Sequence, residues 1–229
     1  MLNPHYRYVG IDFETTGLDV QKDSPIQIGI VEINTEGEII DSFESLIRPQ
    51  KDIKELKNIV KFITKIETAQ LVFAPEISEI TPQIEHFFGE NVILIGHTIN
   101  FDLAFLEKFF LGLPYYASFD TFQLAQALIP YAPSSALEVL MQHLEDKPLF
   151  LEWKTKFGLL PLQKGQGGDE ELSAFHDAFY DTKATLALFC YLISYIKQIE
   201  EKYPTLTQLV KKSDTTLKEI LNTEEEKLE

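Results

Sequence analysis

Four carboxylates and one histidine in this sequence could form a single hydrolytic site. Asp12 and Glu14 lie in the segment YVGIDFETTG, and Asp102 lies in GHTINFDLAFL. His176 and Asp181 lie much further along the chain, in HDAFYD. If the fold brings these segments together, their carboxylates repel one another strongly unless divalent cations occupy the site. A neutral histidine beside such cations can act as the base that activates water, so the set predicts metal-assisted hydrolysis of a phosphodiester.

The first acidic pair sits at the end of an apolar segment that favours a strand. Asp12 and Glu14 are two positions apart, so on a strand both side chains point to the same face. Along the strand they are then ~7 Å apart, close enough to share one cation. The following Thr15, Thr16 and Gly17 supply hydroxyls, backbone N–H groups and a flexible turn that can approach a phosphate or a 3′-hydroxyl. A solvated strand end has the same pattern, so this motif does not decide the chemistry by itself.

The third acid stands where a helix is expected to begin. Asp102 follows Asn100 and Phe101, and the helix dipole favours a carboxylate in this position even without a catalytic role. The preceding residues, among them His97, join a buried strand to this helix, a frequent place for binding sites in α/β folds. The sequence leaves open whether Phe101 packs in the core or stacks on a base.

The histidine and the last acid are five residues apart, which corresponds to about 140° around an ideal helix. They therefore do not share a helix face. We place His176 in the loop or first turn before a helix, from where it can turn toward Asp181. The small residue Ala178 between them allows close packing of that helix. The alternative is that His176 is simply an exposed polar residue at a helix start.

The surrounding segments predict an α/β fold. Residues 6–12, 26–34 and 38–49 favour strands joined by short loops, which predicts three antiparallel strands first. A continuous apolar run at 91–96 is typical of a strand buried on both faces, and 115–120 predicts a fifth strand. Helical spacing covers the ranges 53–66, 76–88, 101–112, 121–129, 135–144 and 176–201, whereas 145–172 predicts irregular structure. The expected architecture is a mixed five-stranded sheet flanked by helices.

Composition limits the class of protein. The chain has 229 residues, of which 45% are hydrophobic and 24% charged, as in a soluble globular domain. With Cys190 as its one cysteine, it forms no internal disulfide and no cysteine zinc cluster. The N-terminus lacks the apolar core of a signal peptide, and the most apolar helical stretch, 186–196, is about half of a membrane span. We therefore expect a cytoplasmic protein without a membrane partner.

The charge balance limits how a polyanion is held. The formal net charge is −16, which argues against a broad basic face that grips a duplex. Local binding of a short strand end, or delivery of the substrate by a protein partner, fits this charge better.

Taken together, the motifs resemble the DEDDh family of 3′–5′ exonucleases, to which the proofreading subunits of bacterial DNA polymerase III belong. DFETTG is similar to the first family motif, NFDLAFL to the second and HDAFYD to the third, in the family's order. The stretches SPIQIGIVEI and APEI between them are also similar. The resemblance covers roughly residues 6–195.

This resemblance implies an RNase H-like fold and two divalent cations, Mg²⁺ or Mn²⁺. The metal ligands would be Asp12, Glu14, Asp102 and Asp181. His176 would be the base that takes a proton from water during attack on the terminal phosphodiester. The residues expected at the substrate are Thr15, Thr16, Gly17, Leu18, His97, Asn100 and Phe101.

The implied activity is 3′–5′ exonucleolytic hydrolysis of DNA, at single strands or frayed 3′ ends, to nucleoside 5′-monophosphates. The sequence ETTG in the first motif favours a DNA substrate and a proofreading or repair role. The expected partner is a polymerase or another replication or repair protein. The alternative substrate is RNA or short oligoribonucleotides. A catalytically silent module that binds nucleic acid or protein is a more remote alternative.

The chain divides into two parts on this interpretation. Residues 1–203 form the exonuclease domain, with an elaborated segment at 144–172 that holds Trp153 and a glycine-rich stretch. We favour a surface loop over a substrate lid for this segment. Residues 204–229 form a polar, helical C-terminal tail without a family motif.

Overall fold

A five-stranded mixed sheet lies at the centre of the computed structural model, which describes residues 2–50, 56–159, 175–202 and 215–221. Its strands are β1 (Arg7–Thr15), β2 (Pro25–Ile33), β3 (Ile39–Leu46), β4 (Gly89–Gly96) and β5 (Tyr115–Asp120). The strand order is β3-β2-β1-β4-β5. The first three strands pair antiparallel, and β4 pairs parallel with both β1 and β5. The predicted sheet is therefore confirmed in its strand number and in the direction of its first three strands.

Helices cover both faces of this sheet. Those of the described residues are α1 (Asn58–Thr64), α2 (Thr68–Val72), α3 (Ile77–Ile84), α4 (Asn100–Phe109), α5 (Thr121–Leu128), α6 (Leu137–His143), α7 (Pro148–Lys156), α8 (Ala178–Lys202) and α9 (Thr215–Leu221). The helix expected over 53–66 is shorter in its described part, and residues 53–55 lie outside the described residues. The helix expected over 76–88 ends early, because a short 3₁₀ turn at Glu85–Phe87 follows α3.

The alternation of side chains along β1 separates two hydrophobic cores. Val9, Ile11 and Phe13 face the core built with α3 and α4. Residues at even positions face α8, which crosses β1 and β2 closely. A side chain at Gly29 would lie 2.4 Å from the carbonyl oxygen of Ala178, so a glycine is needed where the first turn of α8 meets the sheet.

Helix α7 corrects one sequence-based expectation. Residues 145–172 were expected to be irregular, yet residues 148–156 form a helix that begins with Pro148, a position where proline is favoured. Its amphipathic pattern is weak because Lys154, a charged residue, is buried beside Phe150. The Nζ of Lys154 lies 2.9 Å from Oε2 of Glu145, and this ion pair compensates the buried charge. The remainder of the segment, 160–172, lies outside the described residues.

The described part of the C-terminal tail packs on the domain. Leu217 and Ile220 of α9 are fully buried in the same core that α8 covers. The side chain of Asn3 donates a hydrogen bond to the carbonyl oxygen of Glu219, which joins the two ends of the described chain. The division between residues 203 and 204 falls outside the described residues and stays a prediction. Among the helices described, none has the length and apolarity that crossing a membrane requires.

Candidate active site

Strand β1 presents the first two acids on the face covered by α8. Asp12 pairs with Gly29 on β2, and Glu14 pairs with Gln27. Because Gly29 carries no side chain, the start of α8 lies directly beside Asp12. Both acids are half-buried and occupy the same strand face, as their spacing predicted.

Helix α4 delivers the third acid through the open edge of β1. Pairing with β4 runs only from Arg7 to Gly10, so the backbone of β1 beyond Gly10 lacks a strand neighbour on that side. The N–H of Phe13 donates a hydrogen bond of 3.0 Å to Oδ1 of Asp102 in the first turn of α4. Asp102 is 3% exposed. The Asp102 carboxylate thus accepts the hydrogen bond that a neighbouring strand would otherwise accept from Phe13, and this contact fixes it beside the first acidic pair.

The loop before α8 supplies the histidine and the fourth acid. The backbone N–H of His176 donates a hydrogen bond of 3.0 Å to Oδ2 of Asp181, which closes the first turn of the helix. His176 has φ 66°, a left-handed conformation that is rare for a residue with a side chain and typical of functional sites. Ligand atoms of Glu14, His176 and Asp181 lie within 4.8 Å of one another. The predicted placement of His176 just outside the helix is therefore observed.

The clustered acids are poorly compatible with their own negative charge. Burial, and after it the charge of Asp177, raises the pKa of Asp12 to about 7. Burial, followed by the charges of Asp12 and Asp177, raises the pKa of Glu14 to about 8. Burial also raises the pKa values of Asp102 and Asp181 well above the usual range, with Asp12 as the next cause in both cases. The cluster therefore favours either bound protons or bound cations.

The donor set fits divalent cations. Oδ1 of Asp181 is buried and has no hydrogen-bond partner among the described residues, which is costly for a carboxylate oxygen unless a cation lies beside it. Carboxylate oxygens are also the ligands that hard cations such as Mg²⁺ and Mn²⁺ prefer. Glu14, His176 and Asp181 are placed closely enough to hold one ion.

The histidine at the edge of this cluster is suited to accept a proton. Partial burial lowers the pKa of His176, and the charge of Lys65 lowers it further, while Glu138 acts in the opposite direction. A lowered pKa keeps the imidazole neutral near pH 7, so one ring nitrogen has a lone pair available. The ring is exposed, and a water molecule can reach it.

Comparison with known proteins decides the family. Residues 9–149 match the family model described as Exonuclease, of the RNase T type. The chain belongs to the exonuclease family. The predicted family resemblance is thereby confirmed, and the chain is placed among nucleases, which are hydrolases.

The relatives of this exonuclease include DNA polymerases. It is 30% identical over 197 residues to the PolC-type DNA polymerase III of Staphylococcus saprophyticus, a match that covers 84% of this chain and 12% of the relative. The enzyme of the same description from Staphylococcus aureus is 29% identical over 196 residues, with 84% and 12% covered. The exonuclease thus spans about an eighth of the length of these polymerases.

Solved structures of nucleases share the fold. An exonuclease X described in complex with 5′-overhanging duplex DNA aligns with a TM-score of 0.53 and 23% identity, over 82% of this chain and 92% of that chain. A zinc-bound E. coli exonuclease I with single-stranded DNA aligns with a TM-score of 0.61 and 17% identity, over 89% of this chain and 42% of that chain. These similarities confirm the predicted RNase H-like fold.

The loop after β1 is where the exonuclease was predicted to hold the end of its substrate. The hydroxyl of Thr15 donates to the carbonyl oxygen of Gly17, and that of Thr16 hydrogen-bonds Asp23, so both hydroxyls shape the loop. A side chain at Gly17 would collide with Asp23, which lies 2.5 Å from that position. Leu18 is 86% exposed at the tip. The loop is therefore internally braced, and Leu18 offers the apolar surface.

The second predicted group of substrate residues surrounds the start of α4. Both ring nitrogens of His97 have partners, the Thr121 hydroxyl at 2.9 Å and the Ser135 carbonyl oxygen at 2.7 Å, so this ring braces the loop. Asn100 is exposed. Phe101 is half-buried and packs against the α4 core, the first of the two roles that the sequence left open, while stacking on a base stays a prediction. Substrate contacts by these residues stay predictions.

Two residues near the site were missed by sequence reasoning. Asp177 lies next to His176 and contributes its charge to the raised pKa values of Asp12 and Glu14. Gln27 is 4% exposed, donates a hydrogen bond of 2.9 Å to Oδ2 of Asp177 and accepts one of 3.2 Å from the N–H of Ala178. A polar residue in the otherwise apolar run PIQIGIV was the available signal for Gln27.

Proposed function

We propose that this chain is a divalent-cation-dependent 3′–5′ exonuclease that removes nucleoside 5′-monophosphates from single-stranded DNA or frayed 3′ ends. The observation that carries the proposal is the convergence of four acids with raised pKa values on an exposed histidine. A cluster of this kind has no evident structural purpose, because burying like charges together destabilises the fold.

The acids divide into ligands from the sheet and ligands from two helices. Asp12, Glu14, Asp102 and Asp181 would hold two cations, Mg²⁺ or Mn²⁺. When bound, these cations supply Lewis-acid stabilisation of the negative charge that develops on the phosphodiester. The hydrogen bond from Phe13 to Asp102 fixes one ligand in its orientation, as outer contacts of metal ligands commonly do.

His176 would act as the general base. One of its ring nitrogens takes a proton from the water that attacks the terminal phosphorus. The bond from phosphorus to the 3′-oxygen of the preceding nucleotide then breaks. That 3′-oxygen takes a proton from solvent and becomes the new strand end, while the phosphate stays on the 5′-oxygen of the released nucleotide. The backbone N–H of His176 donates a hydrogen bond to the carboxylate of Asp181, so the distance between the base and this metal ligand is fixed.

DNA is the substrate that the comparisons favour. The curated relatives are DNA polymerases, and the exonuclease I and exonuclease X structures are described with DNA. Because those relatives are DNA polymerases, we propose that the exonuclease works with a polymerase or with another replication or repair protein. The exposed Leu18 and the half-buried Phe101 would flank the terminal bases.

A direct degradation assay tests this function. DNA and RNA strands of equal sequence, labelled at the 5′ end, are incubated with the chain and Mg²⁺. We expect a ladder that shortens from the 3′ end of DNA and disappears with a chelator or in Asp12→Ala. Faster laddering of the RNA strand would assign the ribonuclease activity instead. No cation-dependent shortening of either strand would refute the exonuclease.

A further inference from the structure

A groove opens beside His176, next to the acidic cluster. It has a volume of about 410 Å³. We call it the lysine groove, and its main lining residues are Thr64, Lys65, His176, Phe179, Tyr180 and Lys183. His176 belongs both to the groove lining and to the metal-binding group, so a strand whose phosphodiester lies at His176 can continue into the groove.

Positive charge distinguishes this groove from the protein as a whole. The formal net charge is −16, so the protein as a whole repels a polyanion. Lys65 stands at the end of α1 and lies close enough to His176 to lower its pKa. Lys183 lies on the second turn of α8, with its Nζ 4.7 Å from the centre of the Phe179 ring. The two cations therefore flank the groove from different elements.

The negative charge in the groove lining is already engaged. Asp177 is the one carboxylate among the described lining residues. One of its oxygens accepts a hydrogen bond from Gln27 and the other accepts one from the N–H of Tyr180. Asp177 is thus fixed in the turn before α8. Two acids outside the lining also face the groove residues, Glu44 near Lys183 and Glu138 near His176, so the two lysines are the positive charges of a mixed surface.

Aromatic rings add a second kind of contact. Phe179 and Tyr180 are both half-buried, so each leaves part of its ring open to the groove. Tyr180 is held by an edge-to-face contact with Phe175, with ring centres 5.2 Å apart. Cations beside exposed rings form the combination that binds single-stranded nucleic acid, since phosphates pair with lysine and bases stack on rings.

We propose that the lysine groove binds the strand on the 5′ side of the scissile phosphodiester, with Lys65 and Lys183 each pairing with one phosphate. This proposal rests on the proposed nuclease function and adds the path by which the strand leaves the active site. The Thr15–Leu18 loop then holds the terminal nucleotide, and the groove holds the nucleotides that precede it.

Binding measured against salt concentration tests the phosphate contacts. The probe is a 5′-fluorescein DNA strand of about ten nucleotides, with Ca²⁺ replacing Mg²⁺ and anisotropy as the readout. Lys65→Ala and Lys183→Ala should each reduce the slope of log K against log salt by about 0.7. Together they should weaken binding about tenfold at low salt. Lys65→Arg and Lys183→Arg should retain affinity, because the charge is kept.

A matched control lies on the same helix. Lys197 is in α8 about 20 Å along the axis from Lys183, and Lys197→Ala removes the same charge from the same chain. It should leave the salt slope unchanged. If it weakens binding as much as Lys183→Ala, then general electrostatic attraction explains the effect and the groove proposal is wrong.

Substrate length separates this proposal from the proposed function. With Mg²⁺ at about pH 8.5, where the His176 imidazole is neutral with or without Lys65, the double alanine variant should raise KM about tenfold on the longer strand and leave kcat within about twofold. A dinucleotide does not reach far into the groove, so its KM should be the same for both proteins. Equal KM values on the long strand would overturn the groove while the exonuclease stands, whereas an inactive wild-type chain would overturn the exonuclease itself.

Discussion

Two regions of this protein bury charge in opposite ways. Lys154 in α7 is 1% exposed, and both carboxylate oxygens of Glu145 lie within 3.2 Å of its Nζ. At the carboxyl end of β1, by contrast, the acids face one another, and Oδ1 of Asp181 has no hydrogen-bond partner among the described residues. In the first region the protein itself supplies the opposite charge. In the second region the acids need bound protons or bound cations to neutralise them. Buried charge therefore marks a site only where the partner is missing.

The largest expected effect separates activity from stability at the uncompensated region. Asp12→Asn should lower the rate of cation-dependent hydrolysis by about a thousandfold or more, since a ligand charge is lost. Without added cation and at about pH 8, where Asp12 is ionised, the same variant should unfold at an equal or higher temperature than wild type, because a repelled carboxylate has been removed. Activity assays and thermal unfolding in a chelator measure the two quantities. A clear loss of stability in the metal-free variant would contradict the comparison.

The compensated region should respond in the opposite sense. Glu145→Gln leaves the Lys154 charge buried without its partner, and we expect the free energy of unfolding to fall by about 3 kcal/mol. Asp146→Asn breaks a neighbouring, exposed contact to Lys147 and should leave the free energy of unfolding nearly unchanged. Urea denaturation compares the three proteins, while nuclease activity per folded molecule should stay the same. Equal effects of both substitutions would mean that burial does not set the value of the pair.

The local placement of the acidic residues and His176 could be predicted from the sequence, whereas the contacts that support them could not, because those contacts join residues far apart in the chain. Asp12 and Glu14 share a face by the period of a strand, and the five-residue spacing placed His176 outside the helix, both from local geometry. The contact of Gln27 with Asp177 joins residues 150 positions apart, and it depends on where α8 crosses β2. No local pattern contains that crossing point, although Gly29 makes it possible.

Helix α7 escaped prediction for a related reason. Its apolar periodicity is interrupted by Lys154. From the sequence alone a lysine is expected at the surface, and its burial depends on the ion pair with Glu145. Fold class depends on many strands and helices together, and the pattern of each strand was clear enough to predict the mixed sheet. The buried, paired Lys154 thus made α7 difficult to predict, whereas the unpaired acids indicated a candidate site.

A smaller effect is expected where a neutral side chain supports the uncompensated region. Gln27→Leu removes two hydrogen bonds that hold the turn after His176, and we expect kcat to fall between about tenfold and a hundredfold. If Gln27 acts by positioning the base, the substitution should have little further effect on the residual rate in a His176→Ala background. Kinetics of the four proteins in this cycle give the coupling. Independent, multiplicative losses would show that Gln27 acts on something other than His176.

The smallest expected effect is a pH dependence of stability that only the uncompensated region produces. Burial raises the pKa of Asp12 from 3.8 to about 7 and that of Glu14 from 4.5 to about 8. Between the unfolded and folded pKa values, the folded state keeps protons that the unfolded state has lost. The free energy of unfolding of the metal-free protein should therefore fall as the pH rises from about 4 to about 8, and then level off.

Cations should remove most of this pH dependence, because they replace the protons on the same oxygens. The unfolding temperature in a chelator should drop by on the order of 5 °C between about pH 5.5 and pH 8. Added Mg²⁺ should then raise it more at the higher pH than at the lower one. In Asp12→Asn the drop should be smaller, whereas in Glu145→Gln it should match wild type, since the Lys154 pair lies outside the cluster. A drop of equal size in both variants would place the titrating groups elsewhere in the chain.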